Sequence, residues 1–190
     1  MISFLLFLPI VGVFLLLITP KNELNLIKII GLFFSTITLV FSTAFWFFFD
    51  HSTPNFQFVE YYNWSSLSNF SFCVGIDGIS IFFVILTTLI VPICLISSFN
   101  VISFRLKEFT ISFILLEFFV LIVFVVLDLV LFYVFFESVL LPMFAIIGIW
   151  GSRQRKVRAA YFFFLYTLFG SVLMLIAILI VYFQTGSTDI

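Results

Sequence analysis

From Phe109 to Ile149 the chain is almost unbroken apolar sequence, and its only acidic or basic side chains there are Glu117, Asp128 and Glu137. A bilayer hydrocarbon core about 30 Å thick is crossed by roughly 20 apolar residues in a helix. The run is long enough to cross twice, with its fold-back near Asp128. Glu117 lies eleven residues before that point and Glu137 nine after it. At about 1.5 Å of rise per residue, each sits about 14 to 17 Å deep, on adjacent antiparallel helices. A carboxyl at that depth faces protein or water rather than lipid, and its presence points to function.

The remainder of the chain has the same character. A mean hydropathy of +1.37, with 9% of residues charged, excludes an ordinary soluble domain. Six spans fit, at residues 2–19, 29–49, 78–99, 109–127, 129–149 and 159–183, in one membrane domain without a soluble part. They lack the alternation of barrel strands, so the expected class is all-α integral membrane. Met1 runs directly into apolar sequence without a basic leader or small-residue cleavage site, so the first span reads as retained.

The charges support that count. Lys21 and Lys28 fall between spans one and two, Arg105 and Lys107 between three and four, and Arg153, Arg155, Lys156 and Arg158 between five and six. All eight basic residues lie on one side, while Asp50, His51, Glu60, Asp77, Asp128 and Asp189 lie on the other. The positive-inside rule then directs the basic loops to the compartment of synthesis and both termini to the opposite side. A single miscounted span would break the segregation.

The longest polar segment, Asp50 to Asp77, contains Pro54, Tyr61, Tyr62, Trp64, Phe70 and Phe72. Its aromatic rings suit the headgroup belt. Two triplets, Asn63-Trp64-Ser65 and Asn69-Phe70-Ser71, match the short glycosylation pattern, which also occurs by chance. Cys73 and Cys94 read as small hydrophobes, and His51 as a solvated side chain. Asp77 and Asp128, at span ends, read as solvated charges.

Glu137 is the sharpest candidate site. Desolvation and a nearby cation press on a buried carboxyl in opposite directions, so such a group can change protonation state when its partner moves. The alternative is a neutral acid that hydrogen-bonds across helices and holds the bundle together. Glu117 carries the same pair of readings, a proton relay or an interhelical bond. Pro142 removes the hydrogen bond to the Ser138 carbonyl, which either opens the helix near Glu137 for water or is a tolerated packing kink. The run Gly151 to Arg158 fixes orientation and could hold anionic headgroups. No phosphate-cradling loop, metal-spacing cluster or activated nucleophile is visible, and so no cofactor or metal site is expected.

The sequence Leu131-Phe-Tyr-Val-Phe-Phe-Glu137-Ser-Val-Leu-Leu-Pro142, with Trp150-Gly-Ser-Arg-Gln-Arg-Lys-Val-Arg-Ala-Ala-Tyr161, Leu165-Tyr-Thr-Leu-Phe-Gly170-Ser171 and Val74-Gly-Ile-Asp-Gly-Ile-Ser80, resembles the chain 4 family of respiratory complex I, the mitochondrial NADH:ubiquinone oxidoreductase. The matching blocks run from Val74 to Ile190. The resemblance implies the N-terminal portion of an antiporter-like membrane-arm subunit that moves protons when ubiquinone is reduced elsewhere in the complex. NADH, FMN, iron–sulfur clusters and ubiquinone would all belong to other subunits. It implies that Glu137 modulates a lysine in a later span, with Glu117 as a weaker match. It places the chain in the mitochondrial inner membrane, basic loops to the matrix and termini to the intermembrane space. Implied partners are other membrane-arm subunits and lipids, with cardiolipin a candidate, and no nucleic acid.

Members of that family continue into later spans that carry lysines and a histidine. No lysine here lies within a predicted span, so a separate chain completing the subunit, or an incomplete product, is expected. A structural scaffold of the distal arm and half of a stand-alone cation/proton antiporter are the alternatives.

Overall fold

The computed structural model describes residues 1–188 except 51, 54 and 64–70. His51, Pro54, Trp64, Phe70, Asp189 and most of the two glycosylation-like triplets lie outside the described residues.

Among the described residues six helices form, α1 (Ile2–Ile18), α2 (Leu24–Phe48), α3 (Ser80–Ser98), α4 (Leu106–Val125), α5 (Leu129–Trp150) and α6 (Lys156–Thr185). Five are long and apolar enough to cross a membrane, and α1, with 17 residues, is shorter. A segment without water to satisfy its backbone groups closes its hydrogen bonds within itself, which is why these runs are helical. Three helices begin ahead of the apolar runs that define the predicted spans, among them α4, which takes in Lys107 and Glu108. Helix α2 takes in Lys28, whose ammonium lies 5.6 Å from the Phe99 ring centre. Helix α6 starts at Lys156. Long basic stems extend along apolar surface and let a helix continue past the hydrocarbon boundary.

Between α2 and α3 the structure adds a two-stranded antiparallel hairpin, β1 (Gln57–Asn63) and β2 (Ser71–Ile76), with a register irregularity between Gln57 and Glu60. Val74 and Ile76 are fully buried. Val74 also bridges to Val126, and the Leu127 amide donates to the Cys73 carbonyl at 2.9 Å. The hairpin is therefore fastened to the α4–α5 turn. Tyr61 and Tyr62 remain exposed, whereas Phe72 packs against the core rather than facing a headgroup belt.

Helices α1 to α4 form the close-packed body. Gly31 allows α2 to approach α4, since a Cβ at that position would run into the Thr110 side chain. Small residues at such contacts are how helices pack where no hydrophobic effect drives them together. Helix α5 lies against α4, with Phe135 edge-on to Phe118, and α6 lies against α5 through Phe144, Tyr161 and Phe164. Few α5 or α6 side chains are buried; Leu140, Pro142, Ala160, Ser171 and Ile178 are the ones that are.

The two ends of the bundle differ in chemistry. At one end Lys21 pairs with Glu108 at 2.7 Å, Lys107 donates to the Leu17 and Thr19 carbonyls, and Trp150 donates to the Phe104 carbonyl. At the other, the Met1 ammonium and Ser3 hydroxyl donate to Glu60, and Thr188 donates to Asp128. Asp128, expected to be a solvated charge, is instead fully buried. It caps α5 by accepting from the Val130 and Leu131 amides at 2.9 Å, and the returning tail closes over it, with the Leu129 amide bonded to the Thr188 carbonyl. Free amides at a helix start supply the donors that replace water.

Asp128→Ala should therefore cost about 1 to 2 kcal/mol through loss of the cap, and Asp128→Asn much less. The midpoint of heat-induced unfolding in detergent measures both. Ahead of α3, Asp77 Oδ1 accepts from the Ser80 amide at 2.6 Å, and Ser80 Oγ accepts from the Asp77 amide. Burial opposes ionisation of Asp77, but the hydrogen bonds from the Ser80 amide and hydroxyl, with those from the Ile79 and Asp77 amides, together outweigh it and hold the carboxyl below its ordinary 3.8. A depressed acid adds stability that is complete above its ordinary value and is lost as pH falls through the lower folded value. Below pH 3.8, Asp77→Asn should therefore flatten the acid-side fall in unfolding midpoint relative to the native chain.

Candidate functional site

Four of the buried positions on α2 are Gly31, Ser35, Thr38 and Ser42, spaced by four, three and four residues. That spacing keeps them on one helical face. Here the face is turned inward and meets Glu117 of α4, which has no exposed surface. The Thr38 hydroxyl lies 2.6 Å from Glu117 Oε1, and Glu117 Oε2 is buried with no hydrogen-bond partner among the described residues. One turn along α2, Ser42 and Thr88 of α3 share a hydrogen bond of 2.7 Å. Glu117 thus carries the interhelical bond that was one of its two readings, and keeps one oxygen unmatched.

The hydroxyl partners were not singled out from the sequence. Their signal was present in it, as small and hydroxyl residues recurring at helical spacing in an otherwise aliphatic span. It became legible only once α2 was seen to turn that stripe toward Glu117.

Glu137 occupies a different face. It lies two turns before Phe144, whose ring packs on Tyr161 and Phe164 of α6. Residues seven apart share a helix face, so Glu137 sits on the α6 side of α5. Its side chain is partly exposed, with Oε2 buried and unpartnered among the described residues. Glu117 and Glu137 therefore lie on packed neighbouring helices, but Glu117 bonds to α2 and no hydrogen bond joins the two acids among the described residues. Pro142 lies inside α5, which runs unbroken from Leu129 to Trp150. The missing proline amide leaves the Ser138 carbonyl without its usual α-helical donor, one residue after Glu137.

No lysine, arginine or histidine lies in α1, α3 or α5, and Lys28 near the start of α2 is ten residues from Thr38. Neither Glu117 nor Glu137 has an ion-pair partner among the described residues. Among those residues, no group of three or more His, Cys, Asp or Glu side chains lies together as a metal centre would need.

The chain as a whole is similar to known proteins. Residues 126–190 match the family described as NADH:quinone oxidoreductase/Mrp antiporter, TM. NADH-ubiquinone oxidoreductase chain 4 of Marchantia polymorpha is 52% identical over all of this chain, and that of Arabidopsis thaliana is 53% identical. The chain spans 38% of the length of each. Among solved structures, a chain of respiratory complex I from Thermus thermophilus with bound NADH superposes with a TM-score of 0.81 at 25% identity, covering all of this chain and 37% of that one. A chain of an archaeal membrane-bound sulfane sulfur reductase superposes over 97% of this chain and 28% of its own, with a TM-score of 0.78, and at 19% identity shares the fold. Over its whole length, then, the chain belongs with the N-terminal part of the antiporter-like NADH-ubiquinone oxidoreductase chain 4 proteins.

Proposed function

We propose that this chain is the N-terminal part of a proton-translocating membrane-arm subunit of NADH:ubiquinone oxidoreductase. In this role Glu137 and Glu117 hold and release protons, while electron transfer from NADH to ubiquinone proceeds in other subunits. The observation that carries the reading is that each of two membrane-depth carboxyls keeps a buried oxygen without a partner. A carboxyl whose only task was to join helices would use both oxygens, because an unmet buried acceptor costs free energy.

The chain corresponds to 38% of the length of its chain 4 relatives, and the lightly buried outer faces of α5 and α6 suit contact with the remaining spans of such a subunit and with neighbouring membrane-arm subunits. The site is the mitochondrial inner membrane. The end bearing all eight basic residues faces the matrix, where it can also hold anionic lipids such as cardiolipin, and the hairpin end faces the intermembrane space.

Glu137→Gln in the assembled complex tests this reading. It should lower both proton pumping and coupled NADH:quinone turnover at least severalfold, since positioned proton transfer commonly contributes two or more orders of magnitude. Proton uptake by sealed vesicles, followed with a pH-sensitive dye, measures the first. Full pumping in an assembled Glu137→Gln complex would leave the chain a scaffold.

A further inference from the structure

The Thr38 hydroxyl has two acceptors within reach and one hydrogen to give. Its oxygen lies 2.8 Å from the Ser35 carbonyl of its own helix and 2.6 Å from Glu117 Oε1. A threonine hydroxyl donates once and accepts through its lone pairs. The two bonds therefore cannot both be donated by Thr38 at the same moment. Which one it donates depends on Glu117. An ionised carboxylate has no hydrogen, so the bond to Oε1 must use that of Thr38, and the Ser35 carbonyl loses its extra donor. A neutral acid protonated on Oε1 donates to the Thr38 oxygen and releases the threonine hydrogen to the Ser35 carbonyl.

We propose that Thr38 is a positioning residue for Glu117, its hydroxyl turning between the carboxylate and the α2 backbone as Glu117 loses and gains a proton. The proposal deepens the reading of Glu117 as a proton-transfer group and rests on it for its functional consequence. The proton balance is simple. A hydronium ion gives its proton to the carboxylate and leaves a water molecule, release reverses this, and within the protein only hydrogen bonds exchange. The unpartnered Oε2 favours placing the acid hydrogen on Oε1, because a buried O–H on Oε2 would have no acceptor, whereas on Oε1 it has Thr38.

The surroundings leave this pair free of competing charge. Helices α1 and α3 carry no acidic or basic residue. Lys28 on α2 is ten residues, about 15 Å along the axis, from Thr38. On α4 itself, Glu108 and Lys107 lie nine and ten residues from Glu117, and α5 contributes Glu137 and Tyr133, neither hydrogen-bonded to it among the described residues. The Ser42–Thr88 bond fixes the rotation of α2 against α3 and so keeps Thr38 aimed at α4.

Infrared difference spectroscopy on the assembled complex, with Glu117→Gln to identify the carboxylic acid C=O band, reads the exchange directly. In Thr38→Val the acid loses its acceptor, and the band should move to higher wavenumber. In Thr38→Ser it should stay near the native position. Proton pumping should fall severalfold with valine and recover with serine. If the valine chain does not assemble, Thr38→Ala, which fits the same space, should give the same band shift.

A band unmoved by valine or alanine, or a serine variant as impaired as valine, overturns the proposal. If the band moves in Thr38→Val while Glu117→Gln pumps normally, the hydroxyl exchange stands and the proton-transfer role of Glu117 falls.

Discussion

Backbone amides and carbonyls in a hydrocarbon layer have no water to bond, and this constraint shapes nearly every element of the structure. It makes the apolar runs helical, and it also governs their polar side chains. Thr36, Thr43, Thr87, Ser112 and Thr167 each return their hydroxyl hydrogen to a carbonyl three or four residues back. Such a side chain brings no unmet donor into the membrane and needs no neighbour. The hairpin obeys the same rule, with its strands paired to each other and β2 also bonded to the α4–α5 turn.

Against that background the exceptions stand out. Ser42 and Thr88 reach across to one another, Thr38 reaches Glu117, and both glutamates keep an oxygen unmatched. The carboxyls cannot be satisfied by the carbonyls of their own helices, because an ionised carboxylate only accepts. They depend on donors from other helices. For Glu117 that donor is a hydroxyl on α2, which can change direction as the acid changes state.

The body and its outer pair of helices are built differently. Helices α1 to α4 interlock through small residues and bury Glu117 completely. Helices α5 and α6 lie beside this body, joined to each other at one end by the Thr188 bond to Asp128, and tied to it by the Leu127 bond to Cys73 and, at the other end, the Trp150 bond to Phe104. Glu117 is fully buried and bonded to α2, whereas Glu137 is partly exposed.

Length and polarity of the apolar runs determined the helical class and the approximate extent of the helices, and spacing in the chain set Glu117 and Glu137 at comparable distances from the α4–α5 turn. These are local quantities, since a run of about 20 apolar residues has one stable form in lipid. Rotation about each helix axis is not local, and only tertiary packing decided it. It turned Glu117 toward Thr38 rather than Glu137, buried Asp128 beneath the returning tail, and folded Phe72 inward. The hairpin was likewise illegible, because its apolar side chains gain burial only against helices distant in the chain, α1 and α2 before it and α3 and α4 after it. A residue's depth follows from its place in the sequence, but its partner depends on which faces the assembled helices bring together.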